Sequence, residues 1–335
     1  MSDFPADYPA IDVHTHIVPE RFPAYAGKGR DVPWPSMAPA HACHAHVMIQ
    51  GKNYRTVHQG CWHTPDRLKD MTERSIGIQC LSPMPELLSY WLPADDAQVL
   101  IRYVNDQIAE MVAKDPKRFI GLGGVPLQDV GMAIRELEYL MKSGFRGVEL
   151  ASHVEGIPLG DPRLEPFFEA AERLGAAVFV HALRPIGMDR VTGPVSEQAS
   201  CFPGDIGLAV GSFITGGMAE RHPKLRMAWS HGGGVASFLM ARLDRAWDIT
   251  EKLQQALPQK PSAYSKRFYY DTIVFDPANL RHIVQAFGST QVLVGSDYPF
   301  AMGEPDPVAF LRRCGLDAEL ARSILRGNAE RFLGL

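Results

Sequence analysis

Short apolar runs rich in β-branched and aromatic residues recur eight times along the chain, most of them separated by stretches of helical period. The runs are Ala10–His16, Gly77–Ser82, Phe119–Val125, Phe145–Leu150, Ala177–His181, Arg226–Ser230, Phe268–Thr272 and Gln291–Gly295. Several are apolar almost throughout, the pattern of strands covered on both faces. Between them, Asp95–Lys114, Val130–Ser143, Leu164–Leu174, Asn279–Phe287 and Asp317–Leu325 repeat apolar residues at helical spacing, and Val235–Trp247 reads as a further helix. Strand and helix alternating in this way predict an α/β protein, a (β/α)8 TIM barrel, with residues 1–335 as a single domain.

Two segments break the rhythm. Ile17 to Pro65 separates the first strand from the first clear helix and is rich in Pro, His and Gly. A loop that long in a compact domain is usually a lid or a binding loop, so residues 17–65 are expected to form an insertion over the barrel mouth. Leu183 to Pro203, after the fifth strand, carries Arg184, Arg190 and Glu197. Both lie on the side where barrel active sites are built.

Composition narrows the function classes. With 46% hydrophobic and 21% charged residues, the chain has the balance of an ordinary soluble protein. A net charge of −4 with no basic block offers no footprint for nucleic acid. No apolar run approaches the ~18 residues needed to cross a membrane. Cysteines at 43, 61, 80, 201 and 314 are odd in number and scattered, which argues against a disulfide framework. Met1 to Pro9 shows no apolar period and reads as a disordered lead. Its start, Met1-Ser2-Asp3-Phe4, lacks the basic-then-apolar order of a signal peptide, so a cytoplasmic location is expected.

The chemistry is concentrated at the ends of the predicted strands. Successive strand side chains point to opposite faces, so His14 and His16 emerge together as a pincer for a divalent metal. His181 ends the fifth run, His231 follows the sixth and Asp297 follows the eighth. Any one of these alone reads equally well as a satisfied polar residue; five together at one end of a barrel point to a site. His14, His16, His181 and Asp297 would give three nitrogens and one oxygen, a donor set that suits Zn²⁺ and leaves a position for water. His231 would then be the base that accepts the water's proton. The fourth strand ends at Glu149 and Ser152 without a lysine, so a carbamylated-lysine bridge is not expected, and one metal is. His41, Cys43, His44 and His46 form a second cluster, irregular in spacing. It is either another metal site or a set of pocket-facing or solvated lid histidines. The Gly232-Gly233-Gly234 run lacks the lysine and spacing of a phosphate loop and is read as close backbone packing.

Taken together, these motifs resemble the amidohydrolase-superfamily decarboxylases, in particular the α-amino-β-carboxymuconate-ε-semialdehyde decarboxylase group. The resemblance runs through the His14/His16 pair, Gly51-Lys52-Asn53-Tyr54-Arg55 with Trp62, Val125-Pro126-Leu127-Gln128-Asp129, His181, His231-Gly232-Gly233-Gly234, Arg242-Leu243-Asp244-Arg245-Ala246-Trp247 and Gly295-Ser296-Asp297-Tyr298-Pro299-Phe300. It implies one zinc on His14, His16, His181 and Asp297, with His231 and Asp297 as catalytic residues. It further implies that substrate carboxylates meet Arg55 and Arg242, the second delivered by a neighbouring subunit of a homodimer. By position alone Arg242 is an ordinary solvated helix charge. The reaction implied is non-oxidative decarboxylation of a small unsaturated or aromatic, ring-cleavage-type acid; hydrolysis or hydration at the same centre is the alternative. One departure bears on substrate. Where the family continues from the fifth-strand histidine with Pro-Trp-Asp and a Trp-rich loop, this chain has Ala182-Leu183-Arg184-Pro185 and no tryptophan until Trp229. Arg184 and Arg190 are either a further anion contact or charges that cap and solvate the loop.

Overall fold

A computed structural model describes residues 4–5, 8–29 and 31–335. Met1–Asp3, Ala6, Asp7 and Arg30 lie outside the described residues, and with them most of the lead that reads as disordered. Eight strands form one sheet in chain order: β1 (Ala10–Ile17), β2 (Ile76–Pro83), β3 (Phe119–Gly123), β4 (Gly147–Ala151), β5 (Ala177–His181), β6 (Arg226–Trp229), β7 (Tyr269–Asp271) and β8 (Val292–Leu293). Every neighbouring pair is parallel. Residues after β8 then pair with β1 and close the ring. Val13 N–H donates to the Val294 carbonyl at 2.9 Å, Asp297 N–H to the His14 carbonyl at 2.9 Å and His16 N–H to the Tyr298 carbonyl at 2.8 Å. The predicted (β/α)8 barrel is the observed fold.

Helices cover the outside, among them α1 (Thr64–Glu73), α2 (Ala94–Lys114), α3 (Val130–Lys142), α4 (Glu165–Leu174), α5 (Phe202–Thr215), α6 (Ala236–Ile249), α7 (Pro277–Phe287) and α8 (Asn328–Leu333). The sequence explains their limits. Asp129 accepts from Met132 N–H at 2.8 Å and starts α3, whose Ala133, Leu137 and Leu140 are fully buried. Asp276 caps α7, with Pro277 in its first turn. α5 has no counterpart among the periodic stretches, because it is apolar nearly all round and buries most of its residues. The stretch read as one helix over Asp317–Leu325 is a short helix, Ala318–Arg322, followed by a wider turn over Ser323–Gly327 that leads into α8.

The predicted strands are longest where they err. Ser230 and residues 294–295 lie beyond the regular strands, although Ser230 N–H still donates to the Val180 carbonyl at 3.0 Å and the Val294 carbonyl still accepts from Val13. A separate apolar cluster of fully buried Ile11, Val13, Cys80, Leu122, Ala177, Phe179, Ala228 and Leu293 is joined by Ala329, Phe332 and Leu333 of α8. Its Phe179 ring lies 4.8 Å from the ring of His14 and forms the floor of the site. Between β1 and α1 the insertion is an antiparallel sheet of three strands, Pro35–Pro39, His44–Ile49 and Lys52–His58. No helix among the described residues is long and apolar enough to cross a membrane.

Behind β1 sits a fully buried guanidinium. Arg67 of α1 donates to the Gly60 carbonyl (2.9 Å), Thr15 Oγ1 (3.1 Å), Gln79 Oε1 (3.2 Å) and the His16 carbonyl (2.5 Å), and lies over the Tyr298 ring. It thus ties β1, β2, the insertion and the segment after β8 together. Arg67→Met keeps much of the volume and orphans these acceptors, at about 1–3 kcal/mol for each buried group left unsatisfied. Urea denaturation should show the variant destabilised by at least about 2 kcal/mol.

Candidate metal centre

The end of β1 is irregular: its register with β2 shifts between Asp12 and Thr15. Asp12, fully buried, holds the neighbouring chain in place. It accepts from Ser296 Oγ at 2.6 Å, Ser296 N–H at 3.1 Å and His14 N–H at 3.3 Å. That stitch brings Asp297 beside the two β1 histidines. His14 Nε2 and His16 Nε2 are 3.1 Å apart, and Asp297 Oδ1 is 3.4 Å from the first and 3.0 Å from the second. His181 arrives from β5 with its ring 5.0 Å from His14 and 5.1 Å from His16. The ligand atoms of all four residues lie within 4.8 Å of one another, and all four residues are buried.

Each histidine is oriented through its other nitrogen. His14 Nδ1 donates to Asp271 Oδ2 at 2.6 Å, His16 Nδ1 to the Pro83 carbonyl at 3.0 Å, and His181 Nδ1 to the Ala182 carbonyl at 2.7 Å. This leaves three Nε2 lone pairs facing Asp297, and His181 Nε2 and Asp297 Oδ1 are buried without hydrogen-bond partners. Unpaired polar atoms facing one another in a dry interior are costly unless a cation joins them. The electrostatics agree. Burial opposes charge on His14, yet Asp271 and Asp297 lift its pKa to about 10. Burial likewise opposes ionisation of Asp297, but His14 and His16 hold its carboxyl well below the usual range. The carboxylates demand a positive charge between them, and three imidazole nitrogens with one carboxylate oxygen fit a divalent metal.

His231 stands next to this group without joining it. Its ring is 4.9 Å from His181 and 5.5 Å from His14. Burial, then the charge of His14, pushes its pKa down to about 4, so it carries a free lone pair near neutrality. Both His231 (φ 55°) and Asp297 (φ 62°) hold left-handed backbone conformations, strain of the kind stored at functional sites. The His231 N–H is fixed by Asp271 Oδ2 at 3.0 Å, while Asp271 Oδ1 accepts from Gly232 N–H at 2.8 Å and Ile273 N–H at 3.0 Å. Asp271 therefore orients both a metal-facing histidine and the histidine beside it. Asp271 is not among the residues that the sequence marks, although it closes β7 as His181 closes β5. The glycine run after His231 is close packing, as expected: a Cβ on Gly234, at φ 56°, would lie 2.0 Å from the Pro203 carbonyl oxygen.

A cavity of about 1200 Å³ opens over this group. Arg55 lines it from the third insertion strand, its guanidinium 4.7 Å from the centre of the Phe300 ring, which in turn stacks on His16 at 5.3 Å. No carboxylate among the described residues pairs with Arg55. Arg242 is placed differently: it is exposed on α6 and does not line the cavity of its own chain. Glu149 lies in the middle of β4 rather than at its end, is buried behind His16 and accepts from Ser82 Oγ at 2.5 Å. In the insertion, the His41 and His44 rings are 4.2 Å apart, and His46 bonds to Thr56 at 2.8 Å. Among the described residues only the barrel-mouth group brings three or more ligand atoms together. His44 and His58 line the cavity instead.

A barrel of this topology with three histidines and an aspartate at its strand ends defines the class of metal-dependent amidohydrolases. The chain belongs to that family: the amidohydrolase description Amidohydro_2 matches residues 11–335. It is 36% identical over 328 residues to the 2-amino-3-carboxymuconate-6-semialdehyde decarboxylase of Dictyostelium discoideum, an alignment that spans 97% of this chain and 91% of that one. A solved structure of 5-carboxyvanillate decarboxylase from Novosphingobium aromaticivorans, complexed with manganese and 4-hydroxy-3-methoxy-5-nitrobenzoic acid, is 25% identical, covers 81% of this chain and 80% of its own, and superposes with a TM-score of 0.69. The IDCase of Metarhizium anisopliae shares the fold, with a TM-score of 0.83 over 97% of both chains at 22% identity. These kinships fit a metal-dependent carboxy-lyase of the amidohydrolase superfamily.

Two substitutions separate holding the metal from orienting its ligands. His181→Ala should abolish stoichiometric metal, measured by elemental analysis of protein purified from metal-replete cells. Asp271→Asn keeps all four ligands but loosens His14, and should weaken metal affinity about 10- to 100-fold in chelator competition. Equal affinities for Asp271→Asn and the unaltered protein would contradict this arrangement.

Proposed function

We propose that the protein is a non-oxidative decarboxylase of small unsaturated or aromatic carboxylic acids, working with one divalent metal, for which we favour Zn²⁺, held by His14, His16, His181 and Asp297. The observation that carries this reading is the unpaired guanidinium of Arg55, one aromatic ring away from the metal-binding histidines, at the wall of the cavity. A charge left unpaired there calls for an anionic ligand, and a guanidinium grips a carboxylate through two parallel bonds. The relatives' decarboxylase activity supports the same conclusion.

The reaction replaces a carbon–carboxylate bond by a carbon–hydrogen bond. The electron pair of the broken bond must be received by the conjugated system, and a proton must then arrive at that carbon as carbon dioxide leaves. The metal, when bound, supplies electrophilic stabilisation of the negative charge that develops. Arg55 holds the acid in one orientation, and Phe300 fixes the guanidinium against the site. His231 is the proton carrier. Its Nδ1 lies 3.1 Å from Ser230 Oγ, which leaves Nε2 to take a proton from water in the cavity and give it to the carbon that loses carbon dioxide. Phe179 forms an apolar floor beside His14, and the insertion supplies one wall of the cavity.

We further propose a homodimer in which the partner's α6 brings Arg242 to the neighbouring cavity. The outer face of α6 supports this: Phe238 is 75% and Ile249 66% exposed, on the same side of the helix as Arg242. His231→Ala should retain its metal and release carbon dioxide from conjugated acids at least about 100-fold more slowly than the unaltered enzyme. Mixing inactive His231→Ala and Arg242→Ala proteins should restore activity if the site is shared, because each mixed dimer regains one complete site. Product carrying oxygen from labelled water, without carbon dioxide release, would replace decarboxylation by hydration or hydrolysis at the same centre.

A further inference from the structure

Two segments that interrupt the barrel line the cavity, and they are built differently. Residues 17–65 carry a three-stranded sheet with its own ladder of backbone bonds. The stretch between β5 and α5, where this chain departs from its family, carries no strand. Its near end is pinned. Arg184 donates to Glu86 Oε1 from Nε at 3.3 Å and from a terminal nitrogen at 2.9 Å, and its guanidinium lies 3.4 Å from the centre of the Trp91 ring. Its far end enters α5 through buried Cys201. Between these anchors every residue from 186 to 200 is exposed or half-buried.

What holds this stretch is local. Ile186 N–H reaches Asp205 Oδ1 at 3.5 Å. Beyond it, the hydrogen bonds of residues 187–195 among the described residues run within the segment: Arg190 N–H to the Gly187 carbonyl at 2.9 Å, Ser196 Oγ to the Thr192 carbonyl at 2.6 Å and Ala199 N–H to the Val195 carbonyl at 3.0 Å. Few bonds to the body and little buried surface mark a unit that shifts at small cost. The backbone carries its own hinges. Gly187 (φ 85°) and Gly193 (φ 100°) are left-handed, and so is Val195 (φ 53°), a β-branched residue for which that conformation is strained. Ile186 and Val195 leave apolar surface in the open, 63% and 57% exposed, while Met188, Val195 and Gln198 line the cavity.

We propose that residues 186–199 are a lid that closes over the acid in the cavity, with Val195 as a strained hinge. The inference rests on the decarboxylase reading for what occupies the cavity. In the open form seen here the lid leaves Ile186 and Val195 in water and holds Val195 in the left-handed region. Turning about Gly187, Gly193 and Val195 brings the segment down onto the bound acid, buries that apolar surface and lets Val195 leave its strained conformation. Closure and acid binding are therefore coupled, because the acid gains lid contacts only in the closed form. The closed lid separates the reacting carbon from bulk water and opens again to release the product.

Limited proteolysis tests this without turnover, because exposed Arg190 places a trypsin site inside the lid. Zinc-loaded protein is treated briefly with trypsin, and the cut after Arg190 is followed by mass spectrometry. Benzoate, salicylate and cinnamate serve as acids, their binding measured calorimetrically. The cut should be fast without acid and slower by about tenfold with a bound acid at about ten times its Kd, since only the acid-free open form is cleaved. Cleavage at Lys69, exposed on α1, reports any general stabilisation and should not change. Val195→Gly removes the strain and Val195→Ala keeps it, so the glycine variant should bind the acid about fivefold to a hundredfold more weakly than the alanine variant, with metal content unchanged in both. If either variant fails to fold, protection of the unaltered protein decides alone. Resistance of Arg190 in acid-free protein, cleavage that a bound acid does not slow, or equal affinities of the two variants would overturn the lid. Protection by an acid in a protein that releases no carbon dioxide would keep the lid and remove the decarboxylase reading. Carbon dioxide release with Arg190 unprotected would do the reverse.

Discussion

The seam between the first and last strands is the constraint on which the site depends. β1 supplies two of the metal-facing nitrogens and the chain after β8 supplies the oxygen, so the group exists only if the barrel closes there in one register. Backbone bonds from Val13, His16 and Asp297 set that register, and buried Asp12 locks it through Ser296. Arg67 supports the same seam from outside, bonding to the carbonyl of His16 and to the side chain of Thr15. A slip of one residue would turn the histidines to the other face of the strand. The barrel thus holds a cluster of buried polar groups that no local segment could hold alone.

Around that cluster one carboxylate does several jobs. Asp271 fixes the tautomer of His14, holds the backbone of His231 in a left-handed turn and receives two further backbone N–H groups. The positions of His14 and His231 are therefore coupled through a residue that faces the cavity with neither. The same division holds on the cavity side, where Phe300 stands between Arg55 and His16, and Glu86 and Trp91 set Arg184.

Much of this was legible in the sequence because a buried strand leaves a simple signature. A polar residue at the end of an apolar run, as at His181, has few explanations in a barrel except the mouth, and the joint pattern with His14, His16 and Asp297 marked the metal group. Helix α5 was not legible, since a helix buried on all sides has no periodic face. The insertion gave only its length and composition; its three strands carry much polar, exposed sequence and little alternation. Asp271 carried the right signal, a carboxylate at a strand end, but its partners lie more than 250 positions away along the chain at His14 or in backbone groups that sequence does not mark. Glu86 and Arg184 are separated by 98 positions, and nothing along the chain announces that they meet. Arg242 shows the remaining gap: it is exposed on an outer helix face, and nothing along the chain marks what such a charge meets.

His14, His16, His181 and Asp297 bring their ligand atoms within 4.8 Å of one another, a place for one divalent metal. Anomalous diffraction from crystals of the metal-replete protein, collected on both sides of the metal's absorption edge, tests it most directly. One strong peak per chain is expected, in contact with the Nε2 atoms of the three histidines and an oxygen of Asp297. A barrel mouth without a peak, or a peak among the insertion histidines instead, would contradict it.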